Sequence, residues 1–229
     1  MAQSGRERYM SVGIQSFVSF TGIVIKSEPI GEYDRRVVLL TKERGKISAF
    51  ARGARRVGNR LMAPTNPFSF GQFRLFVGKT SYNLSEAEIS NYFEELRGDF
   101  VGAYYGMYFL EICDYYTREN NDETQVLKLL YQSLRALASK RFENRLVRCI
   151  FELKVIMLNG EFPALQDSDM LGEGTVYTIT YIMNTPSEKL FSFTIKPYVL
   201  QELEHFCRKI CKRTFDKDFK SLEILENME

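Results

Sequence analysis

With 229 residues, 45% of them hydrophobic and 26% charged, the chain is long enough for two compact units and too apolar for intrinsic disorder. No apolar run approaches the ~18 uninterrupted residues that a membrane helix needs, and the first 20 residues lack the apolar stretch and cleavage site of a secretory signal, so a cytoplasmic address with no membrane partner is expected. The net charge of +2 hides an asymmetry: residues 1–90 carry 14 Lys and Arg against 7 Asp and Glu, whereas residues 91–229 carry 17 against 22.

Residues 1–19 read as an N-terminal extension. After it come short β-branched, apolar runs at 22–26, 35–41, 46–52, 70–77 and 82–89, punctuated by turn signals at Lys42–Gly45 and Gly78–Lys79. Five strands in about 70 residues leave no room for crossover helices, so residues 20–90 are expected to form a small antiparallel barrel, and five is the strand count of the OB-fold. From Asn91 the apolar period lengthens to three and four. Phe100, Tyr104, Met107, Tyr108, Ile112 and Tyr115 mark one helix, Val126 to Leu137 a second behind the start signal Asn121-Asp122-Glu123, and Leu146, Ile150, Leu153 and Met157 a third that Gly160 and Pro163 end. The β-branched runs 175–183 and 189–195 predict a hairpin, and 197–213 a last helix. The fold class is therefore α+β: a barrel over 20–90, then a helical bundle over 91–229 that includes a hairpin at 175–195.

The residues offer little catalytic chemistry. His205 is the single histidine, which leaves no Ser/His/Asp or Cys/His scheme beyond itself. Cys113, Cys149, Cys207 and Cys211 are too sparse for a disulfide framework and read as free thiols. Cys207 and Cys211 share a helix face and with His205 could hold a metal, but no fourth ligand is evident, and small residues packed against the bundle are the preferred reading. Gly78-Lys79-Thr80 looks like the end of a phosphate loop, yet Phe73 stands where that loop requires a glycine. No catalytic residue, metal or cofactor is expected, and the protein reads as a binding protein rather than an enzyme.

The informative feature is basic. Between residues 35 and 60, Arg35, Arg36, Lys42, Arg44, Lys46, Arg52, Arg55, Arg56 and Arg60 face a single acid, Glu43, which is the footprint of a polyanion-binding surface. On the third strand Phe50 alternates with Lys46, Ser48 and Arg52, the pairing of ring and cation that holds single-stranded nucleic acid. Alternation alone leaves open whether this face or that of Ile47, Ala49 and Ala51 points outward. Arg35 and Arg36 are adjacent, so only one of them can join the patch. Arg55, Arg56 and Arg60 extend it along a segment in which Gly53 and Gly58 allow close approach of a phosphate.

Gly31-Glu32, the apolar run ending at Thr41, Gly45-Lys46, the block Ala51-Arg52-Gly53-Ala54-Arg55-Arg56, Asn66-Pro67-Phe68, and later Phe151-Glu152-Leu153-Lys154 with Leu158, Gly160 and Pro163, resemble the bacterial DNA repair protein family RecO in order and spacing. That resemblance implies an OB-fold followed by a helical domain, and a recombination mediator at the nucleoid. Such a mediator binds and anneals single-stranded DNA, with double-stranded DNA as a further ligand. It works with RecR and helps RecA replace the single-strand-binding protein. The candidate DNA contacts, read from the basic stretch itself, are Arg35, Arg36, Lys46, Phe50, Arg52, Arg55, Arg56 and Arg60. For the acidic tail of the single-strand-binding protein the candidates are Arg141, Arg145 and Arg148, which share a helix face, together with Lys154 and the apolar Leu146, Ile150 and Leu153. The chain departs from the family pattern in one respect: the two zinc-binding cysteine pairs of many members are missing, no cysteine occurring between Cys149 and Cys207. The expected hairpin, with Tyr177, Tyr181, Phe191 and Phe193, would fill that place. An RNA-binding OB protein and a pure interaction scaffold remain as alternatives.

Overall fold

The structure is a computed structural model that describes residues 16–163, 165 and 170–228. Five strands, β1 (Phe17–Ile30), β2 (Asp34–Thr41), β3 (Gly45–Ala51), β4 (Phe70–Val77) and β5 (Tyr82–Asn91), close a barrel in the order β1-β2-β3-β5-β4. All neighbours are antiparallel except β3 and β5, which close the barrel through a short parallel pairing at Ala49↔Tyr82 and Phe50↔Asn83. This is the OB-type barrel expected from the strand count. Residues 1–15 of the expected extension lie outside the described residues, and residues 17–19 already belong to β1.

The barrel interior is made by alternate residues: Val24, Val37, Leu39, Ile47, Ala49, Ala51, Phe73 and Leu75 are almost fully buried, and Ala54 and Leu61 join them from the β3–β4 segment. Each such aliphatic or aromatic side chain stabilises by about 1.5–3 kcal/mol relative to exposure. β2 is buried over Val37–Thr41 without alternation, because its other face is covered as well. Ile23, Ile25, Val38 and Leu40 turn outward into the core of the helical unit, where α2 and α3 pack on the barrel. Two cores thus share the walls β1 and β2.

The helical unit comprises α1 (Glu94–Arg97), α2 (Phe100–Tyr116), α3 (Thr124–Ser139), α4 (Asn144–Leu158), α5 (Glu173–Asn184), a 3-10 turn (Ser187–Lys189), α6 (Pro197–Thr214) and α7 (Lys220–Glu226). Asp99 caps α2 through Gly102 N–H. Its core includes the stacked rings of Phe109 and Phe151, 4.2 Å apart. The turn between β2 and β3 is pinned to the loop after α2. Gly45 has φ +63°, and a Cβ there would sit 2.4 Å from the Arg118 carbonyl, so both the turn and the close approach require glycine. Lys46 Nζ reaches Asp114 Oδ1 at 3.0 Å, and Arg44 Nη1 donates to Asn120 Oδ1 at 2.8 Å.

The expected hairpin at 175–195 is not formed. Its first half is helix α5, its second half the 3-10 turn and an irregular segment. The β-branched composition favours a strand, but Thr175, Thr178, Ile179 and Ile182 are buried at helical spacing, and that face packs on α4 and α6. Both ends of α5 are held from outside: Glu202 of α6 accepts Gly172 N–H and the Thr175 hydroxyl, and Lys154 of α4 donates to the carbonyls of Ile182 and Met183. Of the expected aromatics, Tyr181 meets Phe193 edge to face at 4.9 Å, Phe191 meets Phe142, and Tyr177 is exposed.

Candidate nucleic-acid interface

The outer face of β2 and β3 forms the floor of an open groove of about 740 Å³, with Arg36, Lys46, Ser48 and Phe50 on it. The β4–β5 turn (Val77, Gly78, Lys79, Thr80, Ser81) makes one wall, and Arg118 and Glu119 from the loop after α2 make another. The two faces of β3 are distinct: Ile47, Ala49 and Ala51 are 0–1% exposed and line the barrel, whereas Phe50 is 38% exposed and stands in the groove. Arg36 is its register partner on β2 and donates to Ser48 Oγ at 3.3 Å, so ring and guanidinium lie side by side. Arg52, two residues on from Phe50, is exposed and has no ionic or hydrogen-bond partner among the described residues; the same holds for Lys79.

The next basic residues organise the turn between β1 and β2. Arg55 donates its backbone N–H to the Tyr33 carbonyl at 2.9 Å and its Nη1 to the Gly31 carbonyl at 3.2 Å. Arg56 sets its guanidinium 4.6 Å from the Tyr33 ring centroid, which leaves an exposed aromatic beside a cation at the β1–β2 turn. Asp34 Oδ1 accepts Gly53 N–H and fixes the start of this segment.

Two expected DNA contacts lie outside the groove, and a third is tied to a neighbouring carboxylate. Arg35 points away from Arg36, as adjacent strand residues must, and its Nη1 holds Met62 O, Thr65 Oγ1 and Asn66 Oδ1. Burial, with Arg55 nearby, pulls its pKa down. Arg60 binds Ser85 O and Glu86 on the β5 side and does not line the groove. Lys46 lies in the groove but is tied to Asp114. Lys79 and Arg118, which the sequence reading did not single out, line the groove as well. Lys79 sits in the turn that OB-type barrels use beside the strands, and a lysine following Gly78 in a turn is the sequence signal for it.

The cations expected on one face of α4 also separate. Arg145 forms a bidentate pair with Glu204. Arg148 is largely buried, with Nε 2.8 Å from Glu152 Oε1; burial opposes its charge, but the carboxylate beside it prevails and raises its pKa. Lys154 is buried against the end of α5, and that burial lowers its pKa. Arg141 lies near the α3–α4 turn with Phe142 and Phe191. A second, smaller groove of about 210 Å³ is lined by Tyr108, Phe215, Phe219 and Leu222 and by the cations Arg148, Arg208, Lys212 and Lys217, with Asp218, Glu223 and Glu226 also on it. His205 is exposed and stands apart from Cys207, which is buried.

The family models described as "Recombination protein O N terminal" and "Recombination protein O C terminal" match residues 15–93 and 97–168, one after the other. The chain belongs to the RecO family. The seam between the two RecO matches falls at Phe93 and α1, where the barrel ends. Among RecO proteins, the DNA repair protein RecO of Acetivibrio thermocellus is 26% identical over 247 residues, covering 93% of this chain and 98% of the relative. That of Alkaliphilus metalliredigens is 27% identical, covering 90% and 98%. RecO of Symbiobacterium thermophilum is 38% identical over 144 residues, covering 63% of this chain and 57% of its own. Membership in RecO gives the protein a role in DNA repair and recombination, and no helix among the described residues is long and apolar enough to cross a membrane.

Proposed function

We propose that the protein holds single-stranded DNA along the β2–β3 groove and anneals complementary strands as a mediator of recombination. The observation that carries this reading is the exposed Phe50 beside Arg36, on the barrel face walled by the β4–β5 turn and the loop after α2. Bases stack on Phe50 and Tyr33 while Arg36, Arg52, Arg56 and Lys79 neutralise phosphates, a combination that is tolerant of sequence and sensitive to salt. Annealing follows from the geometry: a strand held by its backbone on an open groove leaves base edges free for a partner strand.

Support for the finer roles comes from the RecO membership and from the second groove. The tail of single-strand-binding protein, acidic and ending in an apolar residue, matches apolar walls of Phe215, Phe219 and Leu222 rimmed by Arg208, Lys212 and Lys217. In this reading the protein engages that tail, works with RecR, and assists RecA onto coated DNA, without catalysing a reaction itself. The test is annealing of complementary strands coated with single-strand-binding protein. Annealing that is lost in an Arg36→Ala, Phe50→Ala double variant supports the groove. Unchanged annealing, or tighter binding to RNA than to DNA, overturns it.

A further inference from the structure

Helices α4 and α6 bring four potential ligand groups face to face behind the second groove. Cys149 and Glu152 are three residues apart on α4, and Cys207 and Cys211 four apart on α6, so each pair lies on one helix face. The two sulfurs of Cys149 and Cys207 and a carboxylate oxygen of Glu152 all lie within 4.8 Å of one another, and all three residues are buried. Cys211 stands beside Glu152 and also lines the groove, which gives the cluster a route to solvent.

Glu152 supplies the second observation. It is 0% exposed, and Oε1 accepts hydrogen bonds from the Tyr108 hydroxyl at 2.7 Å and from Arg148 Nε at 2.8 Å. Oε2 is buried with no hydrogen-bond partner. Buried acceptors are almost always satisfied, so a carboxylate grouped with two thiols and with one oxygen unpartnered calls for an occupant. The arrangement of Oε1 is what a ligating carboxylate receives from its surroundings: one oxygen is oriented by donors and the other left for the metal.

We propose that Cys149, Cys207 and Glu152 form a site for a thiophilic divalent cation such as zinc, its fourth position facing Cys211. Tetrahedral zinc with metal–sulfur bonds of about 2.3 Å places two thiolates about 3.8 Å apart, so the cluster, whose ligand atoms lie within 4.8 Å of one another, closes by at most ~1 Å on loading. Two S–H bonds are exchanged for two metal–sulfur bonds, and two protons leave for one dication. The total charge of the site, with Arg148 included, is zero before and after. The site is distinct from cysteine pairs placed after Pro163, which this chain lacks, and it departs from the expectation of no metal.

The experiment is cobalt titration of the full chain, reduced and freed of metal. One cobalt per chain is expected, with thiolate-to-cobalt charge-transfer bands and the intense visible bands of tetrahedral coordination. Cys149→Ser and Cys207→Ser should each weaken binding at least a hundredfold, while Cys113→Ser, buried elsewhere, keeps it. X-ray absorption on the zinc-loaded wild-type chain decides the matter even where a serine variant does not fold, and must count at least two sulfurs and one oxygen. No stoichiometric binding, bands that survive both serine variants, or a bound zinc with fewer than two sulfurs would overturn the site.

Discussion

Arg36, Arg52 and Lys79 on the barrel and Arg145, Arg148 and Lys154 in the helical unit are the same kinds of residue, yet they have opposite fates. The barrel cations stand in or beside an open groove with a neutral partner or none. Those of α4 meet Glu204, Glu152 and the end of α5. Glu152 is the only acid of α4, and the helix around it is apolar, so a cation there survives only by pairing internally. Among the described residues neither Arg36 nor Arg52 forms an ion pair, Glu28 across from Arg36 on β1 being paired with Lys26, so their charge is available to a polyanion. A basic residue's availability is set by what lies across from it, not by its own type.

The contrast breaks most visibly at Glu152. Glu152→Ala leaves Arg148 buried without its carboxylate and should cost about 3–5 kcal/mol, read as a lower denaturant midpoint. DNA binding per folded molecule should not change. If stability is unaffected, Arg148 has another partner and the pairing argument fails.

On the barrel the opposite split is expected. Arg36→Ala with Arg52→Ala should weaken single-stranded DNA binding about tenfold or more, and lower the slope of log K against log salt by ~0.7 for each phosphate no longer neutralised. Surface positions of this kind shift stability by no more than ~0.5 kcal/mol. A slope equal to that of the wild type would move the DNA elsewhere.

Lys154→Met should remove two charge-assisted bonds to the Ile182 and Met183 carbonyls and cost about 1.5–3 kcal/mol, with hydrogen exchange rising first in α5. Protection that falls evenly over the molecule would argue against a local cap. Lys46→Met tests the residue between the two classes. It should lower both stability, by ~1 kcal/mol through removal of the Asp114 pair, and DNA affinity through removal of a groove charge.

The smallest effect is at Glu202. The Thr175 hydroxyl, then Gly172 N–H, hold its carboxyl below the usual glutamate range. Its folded pKa is depressed, so the stabilisation is present above the ordinary value near 4.5 and is lost as pH falls through the lower folded value. Acid should therefore loosen the start of α5 more in the wild type than in Glu202→Gln, as amide exchange at Gly172 and Thr175 would report.

The five strands and the helices α2, α3, α4 and α6 are legible in the spacing and β-branched character of apolar residues, although β2 and α4 are buried on more than one face. The basic stretch is visible as nine cations against Glu43. Residues 175–195 mislead because their β-branched run fits a strand locally, while the helix depends on Glu202 and Lys154 from other elements. The grouping of Cys149, Glu152 and Cys207 is hidden for the same reason: two helices far apart in the chain supply it.

What the sequence by itself determined is the five strands, most of the helices and their order, the uneven division of charge and the RecO likeness, which arise from short-range periodicity, composition and motif order. The tertiary structure alone decided that Phe50 faces outward while Ala49 and Ala51 face in, that Arg35 braces the segment at Met62–Asn66 while its neighbour Arg36 lines the groove, and that Glu152 keeps one oxygen unpaired. Those outcomes depend on which groups meet across the barrel and between helices. Burial and hydrogen bonding act on whatever lies nearest in space, and no local spacing encodes that neighbour.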